Sequence, residues 1–140
     1  VAEPVAERGL LDTSVVIDLG RIETDALPAE VAVSAVTMAE LAAGPHATAD
    51  PAERARRQEL LQRAEATFAP LPFDANSARA YGLICAAVSA QGRKARGRRV
   101  VDLLIAATAL AGGLPLYTRN PDDFRGLSRL LDVRPIEAAR

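Results

Sequence analysis

From Val101 to Ala111 the chain runs Val-Asp-Leu-Leu-Ile-Ala-Ala-Thr-Ala-Leu-Ala, carrying a single charge at Asp102. A helix that is apolar nearly all round must be covered on every side, so this segment is expected to be the central buried helix of the domain. It is shorter than the roughly 20 residues of a membrane span, and Gly112, Gly113 and Pro115 follow it at once. Other elements of the chain therefore have to surround it.

Those elements alternate. Leu10-Leu11 reads as a strand ending at Asp12, after which Thr13 and Ser14 cap a short helix carrying Val15, Val16, Ile17 and Leu19. Val31 to Val36 is a β-branched strand, and Thr37 is placed to cap a helix from Met38 to Ala42 that stops at Gly44-Pro45. A charged helix from Ala52 to about Ala66 shows one apolar stripe, Leu60, Leu61, Ala64 and Phe68, and leaves its other face to solvent or a partner. Leu71-Pro72-Phe73 is a brief strand, and Asp74 caps a helix from Ala75 to about Ala90 expected to bury Ala78, Tyr81, Leu83, Ile84, Ala87 and Val88. After the central helix come a strand from Leu114 to Thr118, a turn at Asn120-Pro121, and a last strand near Val133 to Ile136. Such a βα series predicts an α/β fold, a parallel sheet with helices on both faces.

At 140 residues the chain has room for one domain, 1–140, with residues 1–8 as an amino-terminal extension ahead of the first strand. That extension, Val-Ala-Glu-Pro-Val-Ala-Glu-Arg, has neither a basic start nor a long apolar core, so no signal peptide is read in it and a cytoplasmic location is expected. The single cysteine, Cys85, excludes an internal disulfide and fits a buried thiol.

Four acidic positions stand where apolar segments end or helices begin: Asp12, Glu40, Asp102 and Asp123. In a parallel α/β domain such positions converge at the carboxyl edge of the sheet, where ligands bind. Each has an ordinary local role as well. Asp12 and Asp102 suit helix amino termini, and Asp122 and Asp123 suit a capped turn after Asn120-Pro121. Glu40 is harder to explain locally, because it interrupts Met38, Ala39, Leu41, Ala42 and Ala43. Taken together, four converging carboxylates repel one another unless a cation neutralises them, and an all-oxygen site suits Mg²⁺ or Mn²⁺ rather than zinc. The chemistry such a site supports is phosphodiester hydrolysis.

At these residues the chain resembles the PIN-domain family and, within it, VapC-type toxins of type II toxin–antitoxin systems. The stretches that carry the likeness are Leu-Leu-Asp-Thr-Ser-Val-Val-Ile-Asp at 10–18, Glu-Leu-Ala-Ala-Gly at 40–44, Asp-Leu-Leu-Ile-Ala-Ala-Thr-Ala at 102–109 and Leu-Tyr-Thr-Arg-Asn-Pro-Asp-Asp-Phe at 116–124. The resemblance implies a PIN-like three-layer fold, its central parallel sheet of four to five strands flanked by helices. It implies an Mg²⁺- or Mn²⁺-dependent endoribonuclease, neutralised by a VapB-type antitoxin and commonly homodimeric. Asp12, Glu40, Asp102 and Asp123 would be the catalytic and metal-binding acids, with Ser14, Thr118 and Asn120 orienting water or the carboxylates.

The net charge of −1 and pI near 5.9 rule out a globally basic nucleic-acid binder, so RNA contact would fall to a local patch. Arg93, Lys94, Arg96, Arg98 and Arg99 are the densest cationic run, and Arg119 lies between two proposed site residues. Such cations bind phosphates without reading sequence, and they are equally at home in a solvated loop. Three Phe, two Tyr and no Trp provide no aromatic platform for stacked bases. His46 is the only histidine and lies in a turn, which argues against paired-histidine acid–base catalysis. A second reading of the same residues is a catalytically inactive PIN-like module that binds RNA or protein. A phosphohydrolase is a third, weakened because Ser14 stands where a second Asp would follow Asp12.

Overall fold

The computed structural model describes residues 7–93 and 96–137. Strand β1 (Arg8–Leu11) passes through Asp12 into the short helix α1 (Thr13–Ile17), and strand β2 (Glu30–Ala32) leads into helix α2 (Ala35–Ala43). Helices α3 (Pro51–Thr67), α4 (Ala75–Ala90) and α5 (Arg98–Ala111) follow, then strands β3 (Leu116–Thr118) and β4 (Val133–Pro135). The sheet order is β2-β1-β3-β4 and every pairing is parallel. From β1 the chain builds first to one side, giving β2, and later to the other, giving β3. The order thus reverses between β1 and β3, and the crevice at their carboxyl ends is where an open α/β sheet binds its ligand.

Side chains alternate across a strand, and here both faces are apolar. Leu10 and Leu116 point into a cluster with Ile84, Leu103 and Ile105, while Leu11 and Tyr117 point into a second one with Val15, Val33 and Leu41. Helices α4 and α5 cover the first face, and α1, α2 and α3 cover the second. The three-layer arrangement expected from the sequence is present, with four strands. Ile105, Ala106, Ala107 and Ala109 of α5 are fully buried, but Val101, Leu104 and Leu110 are only half-buried and Ala111 is exposed. Contrary to the expectation from its sequence, the helix is therefore not covered on every side: it lies in an outer layer against the sheet and α4.

Local boundaries differ from the sequence expectation for physical reasons. Helix α2 begins at Ala35 because Ser34 is its cap, accepting the Thr37 N–H on Oγ at 3.0 Å, so Thr37 lies inside the helix and is buried. The strand expected over 31–36 is shortened accordingly. Leu71 contributes only a bridge to Ser34, since Pro72 has no N–H to extend a ladder. Helix α4 turns Ser77, Ala80, Ile84 and Val88 inward, leaving Ala78 and Leu83 exposed. Both sets keep helical spacing, and the inward set is the one that meets α5. Cys85 is half-buried. Among the described residues no helix is long and apolar enough to cross a membrane.

Gly9 shows how tightly the central strand is packed. A Cβ added there would meet Tyr117 Cδ1 at 2.8 Å and Pro28 Cγ at 3.1 Å. Overpacking of this kind costs about 1–3 kcal/mol. Gly9→Ala is expected to lower the unfolding free energy in urea by that amount, and an unchanged midpoint would show that the Tyr117 ring moves aside freely.

Candidate active site

Asp12 follows β1 directly, its N–H bound to the Tyr117 carbonyl at 2.8 Å, so the sheet itself fixes its backbone. Its side chain is only 4% exposed. A buried carboxylate needs hydrogen-bond donors, and two hydroxyls supply them: Ser14 Oγ and Thr118 Oγ1 each donate to Oδ2 at 2.8 Å. Each hydroxyl is oriented in turn by a main-chain donor. The Arg119 N–H donates to Ser14 Oγ at 3.1 Å and the Asn120 N–H to Thr118 Oγ1 at 2.9 Å. Asn120 therefore acts through its backbone, while its side chain is exposed.

Glu40, half-buried on α2, accepts a hydrogen bond from Thr13 Oγ1 at 2.5 Å. The Thr13 hydroxyl also lies 3.0 Å from Thr37 Oγ1, linking α1 to α2 beneath the acid. Thr13 and Thr37 were read from the sequence only as caps. The hydroxyl residue beside Asp12 was the available signal, but partners 24 and 27 positions away cannot be read from local pattern.

Asp102 lies in the second turn of α5 rather than the first, because the helix starts at Arg98. A macrodipole role for its carboxylate is correspondingly weak. Burial first, and then the negative charges of Asp12, Asp123 and Glu40, together push its pKa up to about 7, with Arg98 opposing them. Four elements thus bring four acids into electrostatic contact. Asp123 is half-buried, whereas Asp122 is turned outward and pairs with Arg125 at 3.3 Å.

An all-oxygen donor set with unbalanced negative charge fits a hard divalent cation. Among the described residues no three acidic side chains are already drawn to the spacing of a single-ion cage. The fit is one of donor chemistry and charge.

The basic residues disperse. Arg93 Nη1 donates to the Arg125 carbonyl at 3.2 Å, Arg96 is exposed, Arg99 is half-buried, and Lys94 lies outside the described residues. Arg98 and Arg99 occupy the first turn of α5, reached through Gly97 at φ +56°, a conformation that favours glycine. Cations are disfavoured at that end of a helix, so helix stability does not account for them. Arg98 also lines a groove with Thr13 and Glu40. Arg119 is paired with Asp18, a residue the sequence reading left unassigned. His46 is exposed.

Residues 9–130 match the PIN domain. The chain belongs to the PIN-domain family. This PIN domain is 38% identical over 131 residues to Ribonuclease VapC5 of Mycobacterium tuberculosis, covering 91% of this chain and 93% of that protein. It is similar in structure to a member of the VapBC family of toxin–antitoxin systems, VapBC-5 of M. tuberculosis, with a TM-score of 0.79, 36% identity, and coverage of 94% of this chain and 99% of that one. FitAcB of Neisseria gonorrhoeae is also similar, with a TM-score of 0.67 and 29% identity over 91% of this chain and 96% of that one.

The raised pKa of Asp102 has a consequence for stability. An unfolded Asp releases its proton near pH ~4, whereas folded Asp102 holds it to about pH 7. The native state binds more protons in between, so metal-free protein loses stability as pH rises from about 4 to about 7 and no more beyond. Asp102→Asn removes this dependence. Its melting temperature should gain on that of the wild type from pH 4 to pH 7, with the gap level above; parallel curves would mean Asp102 titrates normally.

Proposed function

We propose that this PIN domain, taken as a single domain over 1–140, is a metal-dependent endoribonuclease toxin neutralised by a cognate VapB-type antitoxin. The observation that carries the reading is that the charges of Asp12, Glu40 and Asp123 all act on Asp102, with Asp12 directly beyond β1 at the β1–β3 switch point. The likeness to Ribonuclease VapC5 along nearly the whole of both chains supports the same chemistry. These four acids would hold Mg²⁺ or Mn²⁺, which when bound neutralises charge on the phosphodiester and makes water a better nucleophile. Ser14 and Thr118 keep Asp12 aimed, since both donate to Oδ2 and leave Oδ1 for a ligand. Arg98, one turn ahead of Asp102, binds the phosphate backbone of RNA.

Beside the site runs a groove of about 720 Å³ that includes Ile17, Glu40, Leu60, Arg57, Arg63 and Arg98. Ile17 is 54% exposed there, an apolar contact left for another chain. An antitoxin segment laid along this groove covers Glu40 and silences the site. The groove wall is the outer part of α3, which the sequence left to solvent or a partner. A homodimer in the cytoplasm completes the reading.

The test is incubation of purified, antitoxin-free protein with total RNA, in Mg²⁺ or Mn²⁺ and in EDTA. Discrete fragments should require the metal, and Asp12→Asn should lower their yield by about 100-fold or more. Full cleavage by Asp12→Asn, or by wild type in EDTA, would overturn the assignment. Thr118→Val, which removes one donor to Asp12, should cost about 10–100-fold in activity, measured as initial rate at fixed metal concentration. An unchanged rate would leave Thr118 with a packing role alone.

A further inference from the structure

Asp18 stands at the carboxyl end of α1, where a carboxylate opposes the helix dipole. Nothing in the helix calls for it. Its side chain, 24% exposed, pairs with the Arg119 guanidinium, itself 27% exposed, and sits 3.8 Å from the more exposed Arg21. The Asp18–Arg119 pair joins residues 101 positions apart, one beyond α1 and the other directly beyond β3. Both groups are largely out of water, so removing either leaves a charge poorly compensated. Among the described residues Arg119 Nε is buried with no hydrogen-bond partner, and Nη1 of the same guanidinium contacts the Asp18 carboxylate.

Arg119 carries a second link to α1 through its main chain. Its N–H donates to Ser14 Oγ at 3.1 Å, and Ser14 Oγ donates to Asp12 Oδ2 at 2.8 Å. The ion pair and this relay begin on the same residue and end on either end of the same short helix, at its C-cap Asp18 and at Ser14. We infer that Asp18 is a positioning residue for Asp12: by holding the Arg119 side chain, it fixes the amide that orients Ser14 and, through Ser14, the Asp12 carboxylate. Arg119 is then a structural cation, and the phosphate-binding role expected for it from the sequence falls to Arg98.

Only the activity arm of the test rests on the nuclease reading. In metal-free, full-length protein, hydrogen exchange of the Arg119 amide is compared among wild type, Asp18→Asn, Arg119→Met, the double variant, and the charge swap Asp18→Arg with Arg119→Asp. The Asn120 amide, bound to Thr118 Oγ1, serves as the internal reference. Asp18→Asn and Arg119→Met should each speed exchange at residue 119 by about tenfold or more relative to residue 120, the double variant no further, and the swap should restore part of the protection. Wild-type exchange in Asp18→Asn would overturn the inference whether or not the protein cuts RNA. Where RNA is cut, Asp18→Asn should lower kcat by about 10–100-fold with KM unchanged. A raised KM with kcat intact would instead make the pair part of the RNA-binding surface and overturn the positioning role.

Discussion

A carboxylate buried at the seam between two parallel strands is the feature around which this molecule is organised. Asp12 is almost wholly out of water, and an isolated charge in that position would be severely unfavourable. It is tolerated because Ser14 and Thr118 donate to one of its oxygens, and because the β1–β3 pairing brings Thr118 opposite it. The hydroxyls are themselves aimed by the amides of residues 119 and 120. Backbone geometry is thereby transmitted to the Asp12 carboxylate in two hydrogen-bonded steps.

The other acids are held less tightly, and each by a different means. Glu40 is bound by Thr13, Asp102 projects from the largely buried helix α5, and Asp123 follows the Asn120-Pro121 turn into a short 3₁₀ segment that carries buried Phe124. Rigid elements supply position, and half-exposed carboxylates supply adaptability. That division suits the proposed site, whose acids repel one another unless a cation lies among them.

Much of this was legible in the sequence because short-range pattern and long-range placement agree. Leu10-Leu11 before Asp12, the apolar run after Asp102, and the β-branched stretch before Ser34 each mark an element end, and element ends in a parallel sheet converge. The α/β class followed from that, and Asp12, Glu40, Asp102 and Asp123 are proposed as site acids on the same ground. Other features have no local signal. Ser34 rather than Thr37 caps α2 because two hydroxyl residues competed for one role, and the choice fell to the one leaving Thr37 free to meet Thr13. The inward face of α4 was misread at Ala78 and Leu83 because an alanine-rich helix carries a weak apolar stripe. Asp18 was left without a role, since its arginine partner is more than a hundred residues away.

The sheet's outer margins bear on how this domain meets other chains. Each edge strand, β2 and β4, has only three residues. Pro135 removes a donor from β4, and on the β2 side Leu71 pairs with Ser34 just beyond the strand. An incoming extended peptide would find few consecutive backbone groups to pair with, so strand addition, the route by which many domains recruit partners or aggregate, is largely closed here. Association is left to helix faces and grooves, where side chains rather than backbone decide the fit, and where recognition of one cognate partner over its relatives can be tuned by single substitutions without disturbing the sheet.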